Sequence, residues 1–249
     1  MISVSAVSYL NTKPFLLGIE RAGIAHLFNI TLEIPSKTAE RLCNNEVDLA
    51  LVPAGILPQL NNPHIVTNYC LGASGPVKTV CLYSYCPLPQ IKTILLDYHS
   101  ATSVRLVQIL MRKYWQFYPE FLPAQPGFES EIKGDTAGVI IGDRAIGLDA
   151  VYPFVYDLAT AWQQFTNLPF VFAVWASLKP LPKHIEQALN KAFALGLTLI
   201  PEVAEQFNTI YPLNFDIKTY LQQNISYAFD APKQEALKLF LQWVKELKI

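Results

Sequence analysis

Apolar residues along this chain switch between a two-residue spacing and a three-to-four-residue spacing, and each switch predicts a change from strand to helix. Ile2–Val7 reads as a first strand, followed by a helix with Pro14 as its first residue, running towards Ala22. Ile30–Ile34 alternates as a strand does. Pro35-Ser36 then opens a helix to about Asn44, with Ser36 as its cap. Asp48–Pro53 is a short continuous apolar run of the kind buried inside parallel sheets. Such β-α-β order predicts a parallel sheet covered by helices.

Two extended stretches follow, Ile65–Leu71 and Val77–Tyr83, and the alternation then restarts. Thr93–Asp97 reads as a strand, Thr102–Phe117 as a helix, and Gly138–Gly142 and Leu168–Trp175 as strands. Beyond them the pattern is helical: Pro182–Leu199, Pro201–Asn208, Phe215–Gln223 and Ala231–Lys248. One α/β unit, a second, and terminal helices fit a discontinuous two-lobed α/β architecture. Lobe one is expected to comprise residues 1–83 plus 176–249, and lobe two residues 84–175. Val77–Ser84 and Phe170–Ser177 are the expected crossings, and a ligand is expected in the cleft between lobes, where strands end and helices begin.

Composition narrows the picture. Hydrophobic residues make up 51% and charged residues 16% of 249 residues, a balance suited to large buried cores and opposed to disorder. A net charge of -1 argues against a nucleic-acid partner, which needs a basic face. The first residues carry no basic segment and no cleavable apolar stretch, and no apolar run reaches the ~20 residues of a membrane helix. A cytoplasmic location is the expectation. Cys43, Cys70, Cys81 and Cys86 form no C-x-x-C pair and have no His-rich companion, so reduced thiols are expected rather than a metal site.

Three segments offer candidate chemistry. Ser8–Pro14 leaves the first strand. Asn11 there, which donates and accepts without charge, suits an alcohol or carboxylate, while capping the next helix is its alternative role. Ser74–Thr79 is a turn in which Gly75-Pro76 both frees and fixes the backbone, so a ligand can approach peptide groups closely. Thr79 by itself reads as an ordinary strand residue. Asp97–Ser103 is a strand end followed by a hydroxyl-rich turn that opens a helix. Ser100, Thr102 and Ser103 together with unpaired helix amides form a seat for a carboxylate or phosphate, and capping by Ser100 or Thr102 accounts for the spacing equally well. His99 is a conceivable base, with a bystander role as the simpler alternative. Asp143, at another strand end, either caps the following helix or lines the cleft. No G-x-S-x-G, Walker loop, G-x-G-x-x-G or metal-ligand spacing occurs, so elimination or isomerisation without a cofactor is the expected chemistry.

Val7–Pro14, Gly75–Thr79, Asp97–Ser103, Ile140–Asp143 and Leu168–Trp175 together resemble the signatures of the chorismate dehydratase family, of the futalosine route to menaquinone. The resemblance runs from about Ile2 to Trp175, and Leu168–Trp175 is its most specific part. It implies a fold similar to type II periplasmic binding proteins and a cofactor-free hydro-lyase. The implied reaction is loss of water from chorismate, a dianionic small molecule, to give 3-[(1-carboxyvinyl)oxy]benzoate. Asn11 and Thr79 are implied to be catalytic; Ser8, Tyr9, Ser74, Ser100, Thr102, Ser103 and Asp143 are implied to bind substrate. Thr79 stands where the family has serine, and Ala101 where it often has arginine, leaving Lys13, Lys78 or Arg105 to compensate charge. Oligomeric state is left open. The alternatives are the sister enzyme 1,4-dihydroxy-6-naphthoate synthase, whose Pro-Cys-Pro-Asn-Asp-like opening Ser8–Pro14 does not match, and a non-catalytic cytoplasmic solute-binding protein.

Overall fold

The computed structural model describes residues 1–212 and 215–247. Its strands are β1 (Ile2–Val7), β2 (Phe28–Glu33), β3 (Leu49–Pro53), β4 (His64–Ala73), β5 (Val80–Ser84), β6 (Thr93–Leu96), β7 (Glu120–Pro123), β8 (Thr136–Ile141), β9 (Phe154–Asp157), β10 (Phe170–Ser177) and β11 (Ser226–Ala228). The helices are α1 (Lys13–Arg21), α2 (Pro35–Cys43), α3 (Ala101–Ile109), α4 (Leu158–Thr166), α5 (Lys183–Thr198), α6 (Ile200–Phe207), α7 (Ile217–Thr219) and α8 (Ala231–Glu246). None among the described residues is long and apolar enough to cross a membrane.

Two sheets organise these elements. The first has the order β11-β4-β10-β3-β1-β2, with β1 parallel to β2 and β3, and β10 antiparallel to β3 and β4. Its central strand β3 is buried at every residue, as a strand covered on both faces must be. The second sheet has the order β7-β6-β8-β5-β9, with β6 parallel to β7 and β8 and β5 antiparallel to β8 and β9. Alternation along β5 divides its side chains between two cores. Val80 and Leu82 join the main core shared with the first sheet, while Cys81 and Tyr83 join a smaller one around Phe128, Ile132 and Ile140.

Sheet membership shifts the crossings. β5 lies wholly in the second sheet and β10 wholly in the first, so the chain passes between them at residues 74–79 and 167–169. The expected Val77–Ser84 and Phe170–Ser177 segments overlap or adjoin these passages but are mostly ladder strands. Several helical expectations are also refined. Ser36 is no cap, because Ile34 occupies that position and no side chain bonds the helix amides. The helix from α3 widens at residue 110 into a π turn over Leu110–Trp115, ended by Gln116 at φ 59°. The expected Phe215–Gln223 helix is α7 continued as a π turn over Tyr220–Asn224. Lys248 lies outside the described residues. The β9–α4 unit is absent from the sequence reading, although Asp157 caps α4 by accepting from the Thr160 amide at 2.9 Å.

Candidate active site

The carboxyl ends of β1, β3, β6 and β8 converge on one crevice between the two sheets. Its cavity volume is about 50 Å³, so it is a narrow slot. Its polar lining is Tyr9, Asn11, Thr79, Ser100 and Ser103, and its walls include Val77, Ile141, Phe172 and Ile225. No lining residue carries a formal charge.

Asn11 sits in the short 3-10 turn between β1 and α1. Thr12, not Asn11, takes the N-cap position of α1, and no side chain caps that helix. Asn11 lines the slot while its Oδ1 accepts from the Thr12 hydroxyl at 3.4 Å, and the capping alternative is set aside. Thr79 ends the first crossing; its hydroxyl lies 2.9 Å from the Tyr220 phenol and 3.4 Å from the Val77 carbonyl. Ser100 combines two roles: it caps α3 by accepting from the Ser103 amide at 3.5 Å, and it lines the slot at the positive end of that helix.

Tyr9 reaches across from the first sheet to the second. Its hydroxyl hydrogen-bonds His99 Nδ1, and the two rings lie nearly parallel with centroids 6.1 Å apart. Gly142 makes room for it. At φ 65°, a Cβ there would stand 2.3 Å from Tyr9 Cε2, which no side chain tolerates. Burial raises the Tyr9 phenol above its ordinary value, so it stays protonated. Burial, together with the Arg144 cation, lowers His99 below its ordinary value and keeps its imidazole neutral.

The other predicted residues do not face the slot. Thr102 is fully buried, its hydroxyl donating to the Phe172 carbonyl at 2.9 Å and accepting from the Gly55 amide at 2.9 Å. It fastens α3 to the first sheet. Asp143 neither caps a helix nor lines the slot: both its oxygens accept from the Leu10 amide at 3.1 Å, and Tyr211 donates to it at 2.7 Å. It ties the loop after β8 to the loop after β1. Burial raises its carboxyl, against the opposing pull of those hydrogen bonds. Ser8 uses its amide on the Glu33 carbonyl at 2.9 Å, Ser74 is exposed, and both are outside the lining. Lys78 is exposed, Arg105 turns to the Ala101 carbonyl at 3.3 Å, and Lys13 lies over the Phe207 ring at 5.5 Å. None of these three cations enters the slot.

Behind the slot lies a network that local spacing does not reveal. Asp97, 1% exposed, accepts from the amides of His99 (2.9 Å) and Ile141 (3.0 Å) and pairs with Arg144, which also pairs with Glu129 at 2.6 Å. Tyr220 is the other residue not anticipated. It arrives from the C-terminal part of the chain, and only its apolar spacing marks it in the sequence.

Two α/β sheets joined by two crossings, with a slot between them, give this chain the fold of the periplasmic binding proteins. Solved structures bear out the fold. A protein from Archaeoglobus fulgidus superposes with a TM-score of 0.75 at 15% identity, covering 98% of this chain and 97% of that one. A Candida albicans protein with the generic periplasmic binding protein fold gives 0.65 at 15% identity, covering 100% and 91%. Residues 2–246 match the menaquinone biosynthesis family, and the chain belongs to it. A relative, the chorismate dehydratase of Thermus thermophilus, is 31% identical over 92% of this chain and 94% of that protein.

Proposed function

We propose that the slot eliminates water from chorismate to give 3-[(1-carboxyvinyl)oxy]benzoate, a hydro-lyase step of the futalosine route carried out in the cytoplasm. One observation carries this reading: in a chain that matches a menaquinone biosynthesis family along its length, the slot offers hydrogen bonds but no available base. Asp97 is held by two amides and Arg144, Asp143 by an amide and a phenol. His99 spends Nδ1 on Tyr9 and lies behind the lining. The base is then the substrate's own enolpyruvyl carboxylate, which reaches the ring hydrogen on its face.

The carboxylate takes that proton, the C–H pair becomes a ring double bond, and the C4–O bond breaks. The hydroxide accepts the proton and leaves as water, with aromaticity as the driving force. Asn11 and Thr79 hydrogen-bond the departing oxygen. Ser100, Ser103 and the first amides of α3 hold a carboxylate of the dianion, where the helix dipole contributes on the order of 0.3–2 kcal/mol. Holding the internal base against its target can lower the barrier by ~7–11 kcal/mol. We further propose that the described residues form two lobes divided at the crossings, 1–79 with 168–247 and 80–167.

Incubating the purified protein with chorismate tests the reading. A product lighter by one water, formed faster than the isobaric Claisen product prephenate, is the expected result. Tight binding of chorismate without turnover would leave a solute-binding protein instead.

A further inference from the structure

Tyr220 lies 141 positions along the chain from Thr79, yet the two hydroxyls stand 2.9 Å apart. The phenol is 1% exposed and packs against the Phe215 ring at 5.2 Å between centroids. The Asn11 amide lies beside the same phenol, and Thr12 donates to Asn11 Oδ1 at 3.4 Å, which leaves the N–H side of that amide for other partners. The two residues assigned to the departing oxygen thus meet at one buried phenol that does not itself line the slot.

We propose that Tyr220 is a positioning residue: its O–H donates to Thr79 Oγ1 and so turns the Thr79 hydrogen into the slot, towards the oxygen that leaves.

A hydroxyl has one hydrogen to give and two lone pairs. If Thr79 gave its hydrogen to the phenol, it would offer the substrate only a lone pair, which repels a developing hydroxide. The buried phenol must in turn place its own hydrogen, and Thr79 Oγ1 is the oxygen at hydrogen-bond distance. Phenols are stronger acids than aliphatic alcohols and are the better donors of such a pair. Burial raises the Tyr220 phenol and keeps that hydrogen in place at any working pH. A hydroxyl that accepts one hydrogen bond also donates the next more strongly. Among the described residues Thr79 is otherwise held only by its 3.4 Å approach to the Val77 carbonyl, which is too long to fix the rotor.

The inference rests on the dehydration reading, so the parent protein is assayed with chorismate first; failure there overturns the reading itself. Given an active parent, Tyr220→Phe removes one oxygen from a packed ring. Turnover should fall roughly 10- to 100-fold with KM within about threefold, as for other groups that orient a reacting one. Thr79→Val should lose at least as much, and the double variant no more than Thr79→Val alone. Unchanged turnover in Tyr220→Phe, or losses that multiply in the double variant, would each overturn the proposal. If Tyr220→Phe does not fold, Tyr220→Met is assayed in its place: turnover down at least tenfold with KM within about threefold supports the proposal, and unchanged turnover overturns it.

Discussion

Replacing Thr102 by valine separates a structural hydroxyl from a ligand-binding one. Valine matches threonine in shape, so no cavity forms and helix propensity barely changes. What disappears is the hydroxyl that spans the Gly55 amide and the Phe172 carbonyl, each at 2.9 Å, at a site with no exposed surface. Neither partner has a ready substitute. Gly55 lies in the first turn of the 3-10 segment Ala54–Gln59, where amides lack helical acceptors, and Phe172 sits at an irregularity in the pairing of β10 with β4. Water cannot enter easily, because a Cβ on Gly55 would already stand 2.9 Å from the Ala101 carbonyl. Stranding two buried backbone groups at about 1–3 kcal/mol each gives an expected loss of about 2–6 kcal/mol. For a chain of this length that corresponds to roughly 4–24 °C in Tm, read by calorimetry or by circular dichroism. The turnover of the folded fraction should change by less than about threefold, because no substrate contact is lost. A Tm within about 1 °C of the parent, combined with a tenfold rise in KM for chorismate, would refute the reasoning and return Thr102 to the binding site.

Asn11→Ala should lower kcat by roughly 100-fold while leaving Tm almost unchanged, because the residue is half-buried and caps nothing; steady-state kinetics and a melting curve check both parts. Ser103→Ala should act on binding, raising KM about tenfold with kcat nearly constant, the expected loss of one hydroxyl donor to a carboxylate. Arg144→Met leaves the fully buried Asp97 carboxylate without its cation and should cost about 3 kcal/mol, measured by urea unfolding at neutral pH. His99 supplies a pH test. Its folded value is lowered by burial and by Arg144, so below about pH 6.5 the unfolded chain binds a proton that the folded chain resists. The stability it confers is complete above that pH and declines as pH falls towards the folded value. His99→Gln should flatten the slope of Tm between pH 7.5 and 5 and leave kcat within a fewfold; a loss of several hundredfold would point to a protein base.

What could be read in the sequence is what nearest neighbours along the chain decide. The two-residue period of Ile2–Val7, the continuous apolar runs of Gly138–Ile141 and Leu49–Pro53, and the helical spacing of Pro182–Leu199 appear as β1, β8, β3 and α5 because each pattern has one way to bury its apolar side. The strand-to-helix turns at Ser8–Pro14 and Asp97–Ser103 mark the ends of parallel strands, and such ends form the crevice in any fold of this kind. Asn11, Tyr9, Ser100 and Ser103 could therefore be chosen by position.

Tertiary structure alone decided which hydroxyl faces in. Successive residues at a helix start point different ways, so Ser100 and Ser103 meet the slot while Thr102, between them, meets Gly55 and Phe172. Spacing leaves Asp143 between capping the next helix and lining the cleft, and a backbone amide 133 positions away claims it. Tyr220 and the Asp97–Arg144 pair carry no local signature, because their partners lie on other elements. The strands β7, β9 and β11, of three or four residues each, are too short to show a period and exist through the neighbours they pair with. The chain dictates the pieces through local sterics and periodicity, and the burial of those pieces against one another decides where each polar group must turn.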